Sequence, residues 1–270
     1  VALGVMTGCS SSNTTDKKET ENTETTDTAD RTQLIVGFDA EYPPYGYMDA
    51  DGNYVGFDLD LAQEVCDRNG WTLVKQPIDW DTKDMELNSG SIDCIWNGFT
   101  CTGREDKYTF SEPYAENSIV FVVRADSDIN TKEDLAGKVV VTQADSSALT
   151  ALTNEEDNDE NLALAASFAS LEQVADYNTA FMNLESGIVD AIAVDIGVAQ
   201  YQLTSRGDQF RKLDEPLSTE QYAIGFKLGN TELRDQVQNT INEMVEDGTF
   251  DKIVANYSDY NLDQMVCLGK

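Results

Sequence analysis

Histidine is absent from this chain of 270 residues. Its absence excludes Ser-His-Asp and Cys-His activation and every imidazole metal site, leaving Asp, Glu, Lys, Tyr or Cys for any catalytic role. Basic residues are scarce as well: 18 against 50 acids give a net charge of −32. A field of that sign repels phosphates and anionic lipid surfaces, so no nucleic-acid partner is expected. No run of about 18 apolar residues exists, so nothing reads as a spanning helix. Cysteine is limited to five residues, and the scattered spacing of Cys66, Cys94, Cys101 and Cys267 fits no zinc pattern. No metal and no cofactor are expected. An exported compartment permits disulfides, and three pairings or none remain open. Cys66 and Cys94 lie on apolar faces and read as small core residues.

The fifth cysteine stands apart. Val1-Ala2-Leu3-Gly4-Val5-Met6-Thr7-Gly8-Cys9-Ser10 is apolar and closes on small residues, like the tail of an export signal. The positive start of such a signal is missing, so the sequence reads as beginning inside one. The stretch resembles a bacterial lipobox. That resemblance implies a residual signal peptide over 1–9, lipidation at Cys9, and membrane attachment through the lipid anchor only. Two acyl chains would hold a protein stably where one would not. Residues 10–32 carry Ala29 as their one aliphatic side chain and cannot bury apolar surface, so they read as a disordered tether.

Beyond the tether one unit occurs twice. Met85-Glu86-Leu87-Asn88-Ser89-Gly90-Ser91-Ile92-Asp93-Cys94-Ile95 matches Met182-Asn183-Leu184-Glu185-Ser186-Gly187-Ile188-Val189-Asp190-Ala191-Ile192 in register. Each reads as a helix end, a glycine stop and a strand covered on both faces. Two helix-to-strand units so far apart predict two α/β lobes, and a cleft between lobes favours a small ligand.

The surrounding pattern agrees. Leu34–Phe38, Trp71–Lys75, Ile119–Val123, Val139–Val141 and Tyr222–Phe226 read as strands. Asp58 is expected to cap a helix carrying Leu59, Ala62, Val65 and Cys66 on one face and stopping at Gly70. Leu171–Ser186 reads mainly as helix, and Leu233, Val237, Ile241 and Met244 mark a long helix ending at Gly248. Tyr42-Pro43-Pro44-Tyr45 reads as a rigid turn. Asp49-Ala50-Asp51-Gly52-Asn53 echoes a calcium loop, but its glycine is misplaced and no bidentate Glu follows, so a hairpin turn is expected. The acidic run from Glu155 to Glu160 reads as a solvated loop.

Several of these segments together resemble a known family. Val55-Gly56-Phe57-Asp58-Leu59-Asp60-Leu61-Ala62, Ile78-Asp79-Trp80-Asp81, Asn97-Gly98-Phe99-Thr100-Cys101-Thr102, Phe110-Ser111-Glu112-Pro113-Tyr114 and Gly248-Thr249-Phe250-Asp251-Lys252-Ile253 follow, in order, the motifs of extracellular solute-binding proteins of amino-acid ABC transporters. The resemblance implies a type II periplasmic-binding-protein-like fold: two α/β lobes with mixed sheets, over 33–115 with 221–270 and over 116–220. Two hinge strands near Tyr114–Ser118 and Ser218–Tyr222 would join them. It further implies a monomer at the outer face of a bacterial membrane, binding a free amino acid and delivering it to a membrane permease.

A free amino acid brings a carboxylate and an ammonium, and burying either unpaired costs on the order of several kcal/mol, so both need charged or hydrogen-bonding partners. The resemblance assigns the carboxylate to Arg104, whose planar fork can hold both oxygens, with Asn97, Gly98 and Thr100 beside it. Here one residue fewer than usual separates Thr102 from Arg104. The ammonium falls to Asp195, which could equally cap the following helix. Tyr42 and Trp80 match rings that sandwich the ligand side chain. Gln143, Ser146 and Ser147 match a donor loop of the second lobe. Asp39, at the end of the first strand, is where the side chain would be read, favouring polar or basic amino acids; Glu41 could share that task or face water. The alternative is an enzyme on the same fold, a dehydratase or cell-wall lytic enzyme, but without histidine or an evident extra catalytic acid no enzyme activity is expected.

Overall fold

The computed structural model describes residues 31–154 and 159–270. The expected signal-peptide remnant, Cys9, nearly all of the expected tether and part of the acidic run, at 155–158, lie outside them. Arg31 and Thr32, assigned to the tether by polarity, are fastened to the fold instead. Arg31 pairs with Asp93 at 2.9 Å, and the Thr32 carbonyl accepts the Thr72 N–H at 2.9 Å.

The first lobe opens with β1 (Gln33–Phe38), a small meander of β2 (Glu41–Tyr42), β3 (Gly46–Met48) and β4 (Tyr54–Val55), and helix α1 (Phe57–Asn69). It continues through β5 (Thr72–Pro77), α2 (Lys83–Ser89), β6 (Cys94–Ile95) and β7 (Tyr108–Phe110). Strand β8 (Ala115–Arg124) leads into the second lobe: β9 (Val139–Gln143), α3 (Ser147–Thr153), α4 (Asp159–Ser167), β10 (Ser170–Val174), α5 (Tyr177–Glu185), β11 (Ala191–Asp195), α6 (Ile196–Arg206) and β12 (Phe210–Lys212). The chain returns by β13 (Ser218–Tyr222) to β14 (Gly225–Lys227), α7 (Thr231–Glu246), α8 (Thr249–Ala255) and α9 (Leu262–Met265).

Two mixed sheets result, ordered β5-β1-β6-β14-β7 and β10-β9-β11-β8-β12. The crossing strands β8 and β13 pair antiparallel, from Ala115↔Tyr222 to Ile119↔Ser218, so the hinge is itself a two-strand ladder. Leu233, Val237, Ile241 and Met244 of α7 are all buried, as the helical spacing demands. Each such side chain removes enough apolar area to stabilise the fold by roughly 1.5–3 kcal/mol.

Three local expectations change. Gly56 holds the N-cap position of α1, and Asp58 lies inside the first turn, fully buried, with its carboxylate committed elsewhere. Leu171–Val174 is strand rather than helix, because it pairs in register with Val140–Gln143 at the sheet edge and pairing overrides local propensity. Helix α5 begins only after Asp176, whose carboxylate accepts the Thr179 N–H at 2.7 Å. Tyr222–Phe226 is broken, since the Ala223 N–H turns to the Phe99 carbonyl and the Ile224 N–H to Ser111 Oγ, both at 2.9 Å.

The Asp49–Asn53 segment is a hairpin turn: Asp49 Oδ1 accepts the N–H groups of Asp51 at 2.9 Å and Asn53 at 2.8 Å. Among the described residues no cluster of potential ligands could hold a metal ion, and no helix is long and apolar enough to cross a membrane. Cys66, Cys94, Cys101 and Cys267 are free thiols.

Candidate ligand cleft between the lobes

The lobes face each other across a narrow cavity of about 10 Å³ lined by Tyr42, Trp80, Gly98, Thr100 and Arg104 from the first lobe and Gln143, Ser146, Ser147 and Asp195 from the second. Residues scattered over half the sequence converge because β6 and β11, the two repeat strands, both point their C-terminal ends at this crevice. That is where open α/β sheets place ligands.

On the first lobe the wall is the loop after β6. Gly98 adopts φ 55, and a Cβ there would lie 2.9 Å from the Tyr222 ring and 3.1 Å from that of Tyr42, so only glycine fits. The missing residue before Arg104 is absorbed by a turn: the Arg104 N–H reaches the Cys101 carbonyl at 3.0 Å, with Gly103 at φ 75. The guanidinium lies over the Phe99 ring at 5.0 Å and touches the Thr100 carbonyl at 3.4 Å. The rings of Tyr42 and Trp80 are parallel within 5° at 6.5 Å between centroids, flanking the cavity.

The second lobe supplies Asp195. It occupies the N-cap position of α6, yet its side chain makes no capping bond. Its Oδ1 instead accepts from Tyr222 Oη at 2.6 Å and Asn117 Nδ2 at 2.8 Å. Burial pushes this carboxyl above the usual carboxylate range, and the Tyr222 and Asn117 hydrogen bonds pull it partly back. Ser146 caps α3, its Oγ accepting the Leu149 N–H at 3.1 Å.

Asp39 and Asn97 do not line the cavity itself. Asn97 Oδ1 accepts the Asp39 N–H at 3.0 Å, and Asp39 Oδ2 accepts from Gln143 Nε2 at 2.6 Å, closing one lobe on the other. Asp39 borders an adjoining groove shared with Trp80. Burial raises its carboxyl to about 6. Glu41 does not simply face water, because it accepts from Asn178 on the second lobe. Lys83, buried on α2, reaches Asp145 across the cleft and sits 5.1 Å from the Trp80 ring.

Four side chains of the cleft were not singled out from sequence. Asn117 and Glu220 face each other on the hinge ladder, Tyr222 bonds Asp195, and Lys83 braces Trp80. Alternation along β13, with Glu220 and Tyr222 buried and Gln221 less so, was the available signal for two of them. Asp58 acts from beneath: its Oδ2 accepts the Gly98 N–H at 2.6 Å and Tyr114 Oη at 2.8 Å, tying the ligand loop to the hinge. Burial raises its carboxyl to about 7.

Comparison with known proteins agrees with this fold. The model of the bacterial extracellular solute-binding proteins, family 3, matches residues 34–260. The L-cystine-binding protein TcyA of Bacillus subtilis is 31% identical over 261 residues, covering 94% of this chain and 92% of its own. The L-cystine-binding protein TcyJ of Escherichia coli K12 is 30% identical over 223 residues, covering 82% and 80%. A solved ABC uptake transporter substrate-binding protein from Streptococcus pneumoniae, with bound histidine, superposes with a TM-score of 0.78 at 33% identity over 83% of this chain and 92% of that one. With two mixed-sheet lobes, a paired hinge and a polar crevice between them, this chain belongs to the bacterial extracellular solute-binding proteins, family 3.

Proposed function

We propose that the chain is the substrate-binding component of an ABC importer, closing its two lobes on a free amino acid with a polar or basic side chain. The observation that carries the reading is that Arg104 and Asp195, from opposite lobes, line one cavity. The ligand's carboxylate faces the Arg104 guanidinium and the Thr100 and Ser147 hydroxyls, and its ammonium faces Asp195. The side chain runs between Tyr42 and Trp80 toward Asp39, whose carboxyl group either accepts from a neutral donor or pairs with a cation. Relatives that bind cystine and histidine support the ligand class. A ligand that moves closure from 1:99 to 99:1 must prefer the closed form by about 5.5 kcal/mol, which a zwitterion gripped from both lobes can provide.

The chain delivers its ligand to a membrane permease as a monomer held outside the cell by a lipid on Cys9. It performs no catalysis. The test is a thermal-shift panel of the common amino acids and cystine. At least one should raise the melting temperature of the parent, and Arg104→Ala and Asp195→Ala should each abolish that rise. If both variants respond like the parent, the site is wrongly assigned. Chemical turnover of a bound amino acid would favour the enzyme reading instead.

A further inference from the structure

Glu220 is a buried carboxylate of the cleft that the binding scheme above leaves without a task. It stands on β13, in register opposite Asn117 of β8. One oxygen, Oε1, accepts three hydrogen bonds: from Thr100 Oγ1 at 2.7 Å, from Asn117 Nδ2 at 2.8 Å and from Ser147 Oγ at 2.9 Å. Thr100 belongs to the first lobe, Ser147 to the second and Asn117 to the hinge. A single oxygen therefore joins all three parts of the molecule.

Thr100 and Ser147 also line the ligand cavity beside Arg104. A hydroxyl has one proton to donate. While both are committed to Glu220, neither can donate to a second carboxylate facing Arg104. We infer that Glu220 is an internal competitor for the ligand: its carboxylate takes the hydroxyl donors of the ligand-carboxylate seat, holds the lobes together through them, and yields them when an amino acid binds. This rests on the amino-acid reading above.

The electrostatic surroundings fit a group that yields. Asn117 Nδ2 is shared between Glu220 and Asp195, so two like charges lean on one amide. Burial first, and then the charge of Asp195, push the Glu220 carboxyl above the ordinary range. Arg104, Lys83 and Lys107 border the wider groove on its other side, together with Asp84, Asp106 and Asp145. None of these cations forms an ion pair with Glu220 among the described residues. Its hold is made of neutral hydroxyl and amide donors, and the two hydroxyls line the cavity, where an incoming carboxylate can use them.

The experiment uses the full chain with Glu220→Ala, and Glu220→Gln as a near-isosteric second variant. Small-angle scattering without added amino acid should give a larger radius of gyration for Glu220→Ala than for the parent, because the lobes lose their internal tie. An unchanged radius overturns the inference, whatever the ligand is. Calorimetric titration with L-arginine, L-histidine, L-glutamine and L-cystine follows. For each one that the parent binds, both variants should bind tighter, by about threefold to tenfold for Glu220→Ala. Equal affinity overturns the inference. Weaker binding overturns it too, since Glu220 would then be a partner of the ligand and not its rival. If no amino acid binds the parent while the scattering changes as expected, the functional reading fails and the internal tie stands.

Discussion

The two repeat copies behave alike until their strands have formed, and then diverge. In the first, the Asp93 N–H bonds the Ile35 carbonyl at 2.8 Å and its carboxylate accepts the Ile35 N–H at 2.8 Å. In the second, Asp190 makes the same pair of bonds to Val139, again at 2.8 Å each. Gly90 at φ 81 and Gly187 at φ 76 turn the chain identically beforehand. The strands then part company. β6 ends at Ile95, and its continuation becomes a loop whose Gly98 N–H is taken by Asp58 instead of a neighbouring strand. β11 runs on, paired with β8 as far as Asp195↔Ile119, and delivers its acid directly from the strand end. The same scaffold thus presents backbone donors and an arginine on one side and a carboxylate on the other. The repeat builds the lobes, and the departure from it gives the two walls of the cleft opposite charges.

This contrast can be broken experimentally. The largest effect is expected from Asp58→Ala, which strips two buried donors, the Gly98 N–H and the Tyr114 hydroxyl, of their shared acceptor. Denaturant unfolding should report a loss of about 2–4 kcal/mol. The ligand-induced thermal shift should shrink as well, because the first-lobe loop loses its support. A variant as stable as the parent would mean that the loop is held by other contacts.

The shared part of the repeat predicts matched effects. Asp93→Ala and Asp190→Ala should each cost about 1–2 kcal/mol, with Asp93 slightly the more expensive because it also pairs with Arg31. If denaturation shows one substitution to be silent and the other damaging, the two units are not structural equivalents.

The last effect concerns pH. Asp39 and Asp58 have carboxyl groups raised by burial to about 6 and about 7. A carboxylate raised in the folded state takes up a proton on folding, so its contribution to stability is lost as pH rises through the folded value. It is fully present only below the ordinary value near 4. The melting temperature should therefore climb as pH falls from 8 to about 5. Asp58→Asn should flatten the upper part of that slope. A melting temperature that falls steadily over the same window would show that other groups dominate.

Much of the architecture was legible in the sequence because it is written in local chemistry. Glycine after a helical run, β-branched stretches and the apolar face of α7 each act within a few residues. The elements misread are those where a distant partner decides. Leu171–Val174 carries a pattern compatible with helix, and only the exposed edge of β9 makes it a strand. Asp58 looks like a helix cap from its neighbours, and only the approach of Gly98 and Tyr114 gives its carboxylate better donors. In the cleft, Tyr42, Trp80, Gly98, Thr100, Arg104, Gln143, Ser146, Ser147 and Asp195 were all expected and do line one cavity. Asn97 and Asp39 were also expected, and they stand one layer behind it, bonded to each other through the Asp39 N–H.

The sequence by itself determined the paired lobes, the absence of imidazole chemistry and the charged groups available to a ligand, because periodicity, glycine placement and side-chain type are properties of the chain. Only the tertiary structure decided which acids share one buried space. Glu220 and Asp195 meet at Asn117 because β13 and β11 pair with opposite edges of β8, the strand that carries Asn117. In water those carboxylates would be unremarkable surface acids. Desolvation and shared donors, which exist only once the strands are side by side, turn them into a coupled pair with raised carboxyls at the wall of the cleft.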